Sequence, residues 1–228
     1  MVGLVTLLFL AVDLSFFGAN VLKIEAGGWF PLVAGGIVFT LMATWRRGRE
    51  ILAQRLGENK EPLDGFLLRI AARPPLRVPG TAVFMVKPVP GTPPQLLHHL
   101  AHNQVLHEQV VLLSVVTREV PRVTAEKRLE IVRLEQGFSR VTVYYGFMQS
   151  PNVPVALRGC EAFGLKVDLD STTFYIARET MIPSLRRRGM ALWREKLFSF
   201  MTRNALPATD FFRIPPERVV ELGIRIEI

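Results

Sequence analysis

The apolar positions of this chain fall into two regimes. From Val2 to Leu22 (VGLVTLLFLAVDLSFFGANVL) there is no Lys, Arg or Glu, and the strongly polar side chains are Thr6, Asp13, Ser15 and Asn20. A run of that length predicts a helix across a bilayer, which needs roughly 20 residues. A second uncharged run, WFPLVAGGIVFTLMATW, extends from Trp29 to Trp45 and as a helix would span about 26 Å. Its two tryptophans sit at its ends, where indole rings favour the membrane–water boundary. Pro31 falls in the first turn, where a missing N–H costs little. Gly35 and Gly36 at mid-span would let a neighbouring helix approach closely. Between the runs, KIEAGG has room only for a tight turn, so the pattern predicts a membrane α-helical hairpin with spans at 3–22 and 29–45.

Beyond Trp45 the pattern changes. Arg46, Arg47 and Arg49 crowd the exit of the second run, whereas the connecting turn offers Lys23 against Glu25. The positive-inside rule places the arginines, and with them both ends of the hairpin, in the cytoplasm. No positive charge precedes Lys23, which argues against a secretory leader. Residues 48–79 read as a juxtamembrane helical linker: an amphipathic helix, then LDGFLLRIAAR, broken by Pro74, Pro75 and Pro79 into an extended joint.

Residues 80–228 alternate strand and helix patterns and are numerous enough to bury a core, predicting a cytosolic mixed α/β domain. TAVFMVK, the helix PPQLLHHLAHN and VVLLSVV form a βαβ crossover. LEIVRLEQGFSRVTVYYGF reads as a hairpin turning at Gln136-Gly137, with Val141, Val143, Tyr145 and Phe147 on one face. VPVALRGCEAFGL is a helix, TTFYIARET a strand, ALWREKLFSFMTRNAL the strongest helix, and IRIEI a closing strand.

Charge and candidate chemistry narrow the function classes. The net charge of +8 comes partly from the juxtamembrane arginines, which suit anionic lipid heads. No recognition motif or interleaving of aromatic and basic residues points to nucleic acid. The single cysteine, Cys160, excludes an internal disulfide and reads as a small core residue. All four histidines fall in HHLAHNQVLHE. His98 and His102 share a helix face, as metal-binding pairs do, but HHLAH lacks the glutamate of HExxH and a third ligand; a solvated or dimer-contacting face is the competing reading. Arg186, Arg187 and Arg188 would suit a phosphate-bearing regulator, an anionic membrane or a solvated loop. Nucleotide-hydrolysis and acyl-transfer motifs are missing, so the chain is read as no enzyme and as needing no cofactor.

The stretches VDLSFFGANVLKIEAGGWFPL, TWRRGRE, RVPGTAVFM, LLHHLAHNQVLHEQVVLL, RVTVYYGFMQSPNVP and FSFMTRNALPATDFFRIPPERVVELGIRIEI, in order along nearly the whole chain, resemble the C-terminal third of the Kup (KUP/HAK/KT) potassium-uptake family. The resemblance implies a multi-pass transporter of the bacterial inner membrane that imports K⁺, with H⁺, and a cytosolic domain that regulates or dimerises it. Residues 1–22 and 29–45 would be its eleventh and twelfth spans. In such transporters the ion ligands lie on discontinuous earlier helices, so partners for this hairpin would be the lipid bilayer and those remaining helices, and the chain alone should not transport. Asp13 and Asn20 match an acid and an asparagine of the family motif. Asp13 is therefore an ion-path candidate, as is Asn20, against a structural hydrogen bond or cap for Asp13. The competing function class is a membrane-anchored interaction or ligand-binding module without transport.

Overall fold

The structure is a computed structural model and describes residues 2–21, 23–57, 61–88, 91–182, 189–206 and 208–227. The first apolar run forms α1 (Val2–Val21), which among the described residues is the one helix long and apolar enough, over Gly3–Val21, to cross a membrane. Inside it the Ser15 hydroxyl donates to the Ala11 carbonyl at 2.8 Å, which satisfies the hydroxyl within its own helix. The expected tight turn is a π-helical turn, Ile24–Gly28, closed by the Gly28 N–H donating to the Lys23 carbonyl at 2.9 Å. From Gly3 to Val21 every residue of α1 is exposed. The described residues therefore hold two apolar helices but no packed hairpin. Two wholly apolar faces have little reason to pair unless small or polar residues meet, and open space surrounds Gly3 and Gly18 of α1.

The second run continues without a break into α2 (Trp29–Gly57). The sequence placed a boundary after Trp45; none exists, because the residues that follow are strong helix formers apart from Gly48. Burial, however, changes sharply there. Residues 29–43 are exposed or half-buried, whereas Thr44, Gly48, Ile51 and Leu52 are buried. That stripe at i, i+4, i+7 and i+8 is one helix face.

The stretch read as a linker divides between two structures. Its first part belongs to α2, and its second forms α3 (Leu63–Ala72), whose Leu63, Phe66, Leu67 and Ile70 are buried in the core of the α/β unit. The core thus begins at Leu63 and not at Gly80. The extended joint is likewise the first half of a strand, β1 (Leu76–Met85). Pro79 and Gly80 are accommodated as a bulge, with the register slipping between Val78 and Thr81, the position in a strand where Pro is tolerated. Gly80 has φ +99°, and a Cβ there would lie 2.6 Å from the Ser171 carbonyl oxygen, so only glycine fits.

The remaining elements follow the alternation read from the sequence: α4 (Pro94–Asn103), β2 (Val105–Arg118), β3 (Leu129–Arg133), β4 (Phe138–Gly146), α5 (Val153–Gly159), β5 (Thr172–Ile182), α6 (Leu192–Arg203), α7 (Ala208–Phe212) and β6 (Val219–Glu227). They build one six-stranded sheet in the order β3-β4-β2-β1-β5-β6, parallel throughout except for the antiparallel edge strand β3. The β3–β4 turn uses Gln136 (φ +58°) and Gly137 (φ +76°), the two positive dihedrals that a tight hairpin requires. Val141, Val143 and Tyr145 point into the core, but Phe147 is 63% exposed because β4 ends at Gly146.

Alternation along the strands makes two cores. Val83, Val111, Leu113, Val141, Val143 and Phe174 face α5. Ala82, Phe84, Val110, Leu112 and Tyr175 face α3 and α4. A sheet covered on both faces explains why VVLLSVV reads as a continuous apolar run.

Candidate functional site

Where α2 leaves its apolar stretch, α6 of the α/β domain docks on it. The Arg194 guanidinium donates to the Thr44 hydroxyl at 3.1 Å and to the Ala43 carbonyl at 3.0 Å. One turn further along α6, Phe198 is fully buried and meets Trp45 edge to face at 5.6 Å. Gly48 makes this possible: a Cβ there would stand 2.5 Å from the Phe198 ring. Ile51 completes the small cluster, with Trp45 and Met190 packed at its edge. Next to Arg194 along α6 lies Glu195, 1% exposed, and among the described residues neither of its carboxylate oxygens has a hydrogen-bond partner. A polar clamp, an aromatic wedge and a glycine socket thus fix one helix of the domain to α2 where its uncharged run ends.

Trp45 is the one joint residue that the sequence singles out, and it does so as a boundary tryptophan and not as a packing partner. The signal available was Gly48 itself, a helix-weakening residue among arginines, which often marks a close approach; its partner, Phe198, is distant in sequence and becomes identifiable only in the fold.

The residues that the sequence did single out are placed apart. Asp13 and Asn20 are exposed on one face of α1, seven positions and so about 10 Å apart along the axis, and no element of the described chain covers them. Arg46 and Arg47 both bond Glu50, at 3.2 and 3.4 Å, on the solvent side of α2. Arg49 turns towards the domain. Arg186, Arg187 and Arg188 lie outside the described residues.

The histidines divide into two pairs. His98 and His102 bring their rings to 4.4 Å on the exposed face of α4, but among the described residues no cluster of three or more His, Cys, Asp or Glu could hold a metal. His99 is buried beneath them, its ring 4.7 Å from Tyr175, and the Asn103 amide lies 2.9 Å from its Nδ1. Burial holds the His99 imidazole below its ordinary pKa, and nearby His107 adds to this; burial does the same to His107. Cys160 is fully buried and its thiol is pushed up to about 11 by burial, which suits a packing residue and not a nucleophile.

A cavity of about 830 Å³ opens at the carboxyl ends of the central strands. Among its lining residues are Met85, Lys87, Gln95, Ser114 and Arg140, and Arg49 of α2. Here β1 leads to β2 on one side while β5 leads to β6 on the other, the switch point at which open α/β sheets receive ligands.

Two family models match the chain. A family model described as the K+ potassium transporter integral membrane domain matches residues 1–50, and one described as the K+ potassium transporter C-terminal domain matches residues 79–228. The "Probable potassium transport system protein Kup 1" of Geobacter sulfurreducens is 60% identical over 223 residues, which cover 98% of this chain and 35% of the relative. The corresponding Kup proteins of Nitrosomonas eutropha and Myxococcus xanthus are 56% and 54% identical, over 98% and 97% of this chain. The chain spans about a third of the length of the curated relatives it matches. No solved structure matches it.

Proposed function

The chain belongs to the K+ potassium transporter family, and from that premise we propose that it serves as the membrane exit and cytosolic domain of a K⁺ importer of the bacterial inner membrane. In this reading α1 and the apolar part of α2 each cross the membrane, joined by the outer turn and packed on other transporter helices, with both ends in the cytoplasm. The ion ligands are carried by other membrane helices, K⁺ enters with H⁺, and the α/β domain regulates or dimerises the assembly. The observation that carries the reading is the α2–α6 joint. It ties the state of the α/β domain to the position of a membrane helix, which a passive anchor would not need.

Asp13 and Asn20 share a face that the described chain leaves bare. An intramembrane carboxylate is costly when exposed to lipid, so that face is assigned to the remaining transporter helices. A second reading, a membrane-anchored ligand-binding module, is favoured by the cavity of about 830 Å³, a volume within the range of small-molecule sites.

The test is growth of a K⁺-uptake-deficient bacterium at low K⁺. The chain alone should not restore growth, and co-expression with the membrane portion of a Kup relative should. Robust rescue by the chain alone would overturn the proposal. Binding of small molecules with no effect of the chain on rescue would favour the second reading.

A further inference from the structure

Among the described residues, no element covers the face of α6 that points away from α2. Opposite the docked residues Arg194, Glu195 and Phe198, the helix displays Leu192 (45% exposed), Trp193 (57%) and Phe200 (62%), interspersed with exposed Lys196 and Arg203. At 100° per residue these five fall within one arc of about 100°. Scattered exposed apolar residues need no explanation, but a large aromatic pair with a leucine and two cations on a single stripe has the composition of a helix lying in a membrane interface.

The position of α6 supplies the second, independent observation. Arg194 grips Ala43 and Thr44, and Phe198 packs on Trp45 and Gly48. Those residues end the uncharged run of α2 and begin its arginine cluster. At 1.5 Å per residue, Gly48 lies within about 5 Å of Trp45 along the axis. The docked helix is therefore held at the depth where α2 passes from hydrocarbon to headgroups.

We propose that α6 is an in-plane interfacial helix whose Leu192–Trp193–Phe200 face is seated among lipid headgroups, with Lys196 and Arg203 paired to anionic lipid phosphates. Its occupant is the leaflet that α2 itself leaves, so the proposal rests on the reading of residues 29–45 as membrane-embedded. The domain then has two attachments to the bilayer, one through α2 and one through α6. The lipid seat also accounts for an apolar face on a helix whose other side is already docked.

The experiment uses the full chain in nanodiscs with anionic phosphatidylglycerol, one protein per disc. Spin labels are placed singly at Phe39→Cys, Phe200→Cys and Phe163→Cys, exposed sites on α2, on α6 and beyond α5; buried Cys160 stays unlabelled. Collision with a water-soluble nickel chelate should be about threefold or more lower at position 200 than at 163. Adding Lys196→Glu and Arg203→Glu should restore collision at position 200 about twofold. Lipid-like values at 39 with water-like values at 200 would overturn the seat while sparing the membrane reading; water-like values at 39 would remove the premise itself. Protection at 200 accompanied by spin–spin broadening would assign the face to a second copy, and protection indifferent to charge reversal would remove the anionic lipid. Both outcomes count against the proposal.

Discussion

α1 and β2 are written in nearly the same alphabet and meet opposite surroundings. In α1, Leu7, Phe9 and Phe16 are 70%, 64% and 68% exposed, whereas Val110, Val111 and Leu113 of β2 are fully buried. An apolar run states that water is unfavourable around it and not what should replace water. Length and flanks decide: α1 is long enough for a bilayer, while β2 is β-branched, shorter in its apolar part, and flanked by elements that cover both its faces. The two regions meet at α2, exposed or half-buried to residue 43 and buried in a stripe from Thr44 onward.

The comparison breaks most visibly with one phenylalanine from each side. Phe84 is fully buried and stacks on Tyr175 at 4.6 Å, so Phe84→Ala should cost the α/β domain about 3–5 kcal/mol. Phe9→Ala, on bare α1, should leave denaturant unfolding of the domain in micelles unchanged. Equal losses for both would mean that α1 is part of the same core.

Gly48→Ala probes the place where the regions join, and its sign is diagnostic. In a free helix the change would stabilise by up to about 1 kcal/mol. Against the Phe198 ring it should instead destabilise docking by about 1–3 kcal/mol, and pairing it with Phe198→Ala should recover the helix gain. Cross-linking between cysteines on α2 and α6 follows docking directly. A stabilised single mutant would show that the joint is not formed in the membrane.

Acid sharpens the contrast, because buried His99 and half-buried His107 both lie on the domain side. His99 and His107 have lowered native pKa values, so the stability they confer is fully present above the ordinary imidazole value of about 6.5. It is lost as pH falls below that towards the native values, since the unfolded chain then binds more protons. Near-UV signals should melt at lower temperature at pH 5.5 than at pH 7.5, while the helical signal of α1 should not shift. Replacing His99 by Phe should flatten the dependence, and an unchanged slope would exonerate this pair.

Most of the α/β alternation was legible because strands covered on both faces and amphipathic helices have distinct periods. What escaped notice depended on partners distant in sequence. Nothing local in LDGFLLRIAAR says that Phe66 will meet Phe138 at 6.1 Å, so α3 read as linker. Pro79 read as a boundary because the bulge that tolerates it is set by the neighbouring strand. The joint was invisible for the same reason: Thr44 and Arg194 are 150 positions apart. By contrast, the resemblance carried by long motifs identified the family without any knowledge of these contacts.

The smallest effect belongs to the one turn that sequence and structure place at the same two residues. Gln136 takes φ +58° ahead of Gly137, a left-handed position that asparagine accepts more readily than glutamine. The backbone carbonyl of Gln136 accepts from the Arg77 guanidinium at 2.8 Å, and that bond does not involve the side chain that would be replaced. Gln136→Asn should therefore keep the hydrogen bond while relieving the turn, raising the stability of the α/β domain by roughly half a kcal/mol. Arg77→Gln should remove the bond but leave the benefit of asparagine in place. Because the two residues touch, a double-mutant cycle in urea unfolding reads their coupling, which should be small since the bond uses the backbone carbonyl. A loss of stability on Gln136→Asn would mean that the glutamine side chain contributes to the turn in a way its dihedral angles do not reveal.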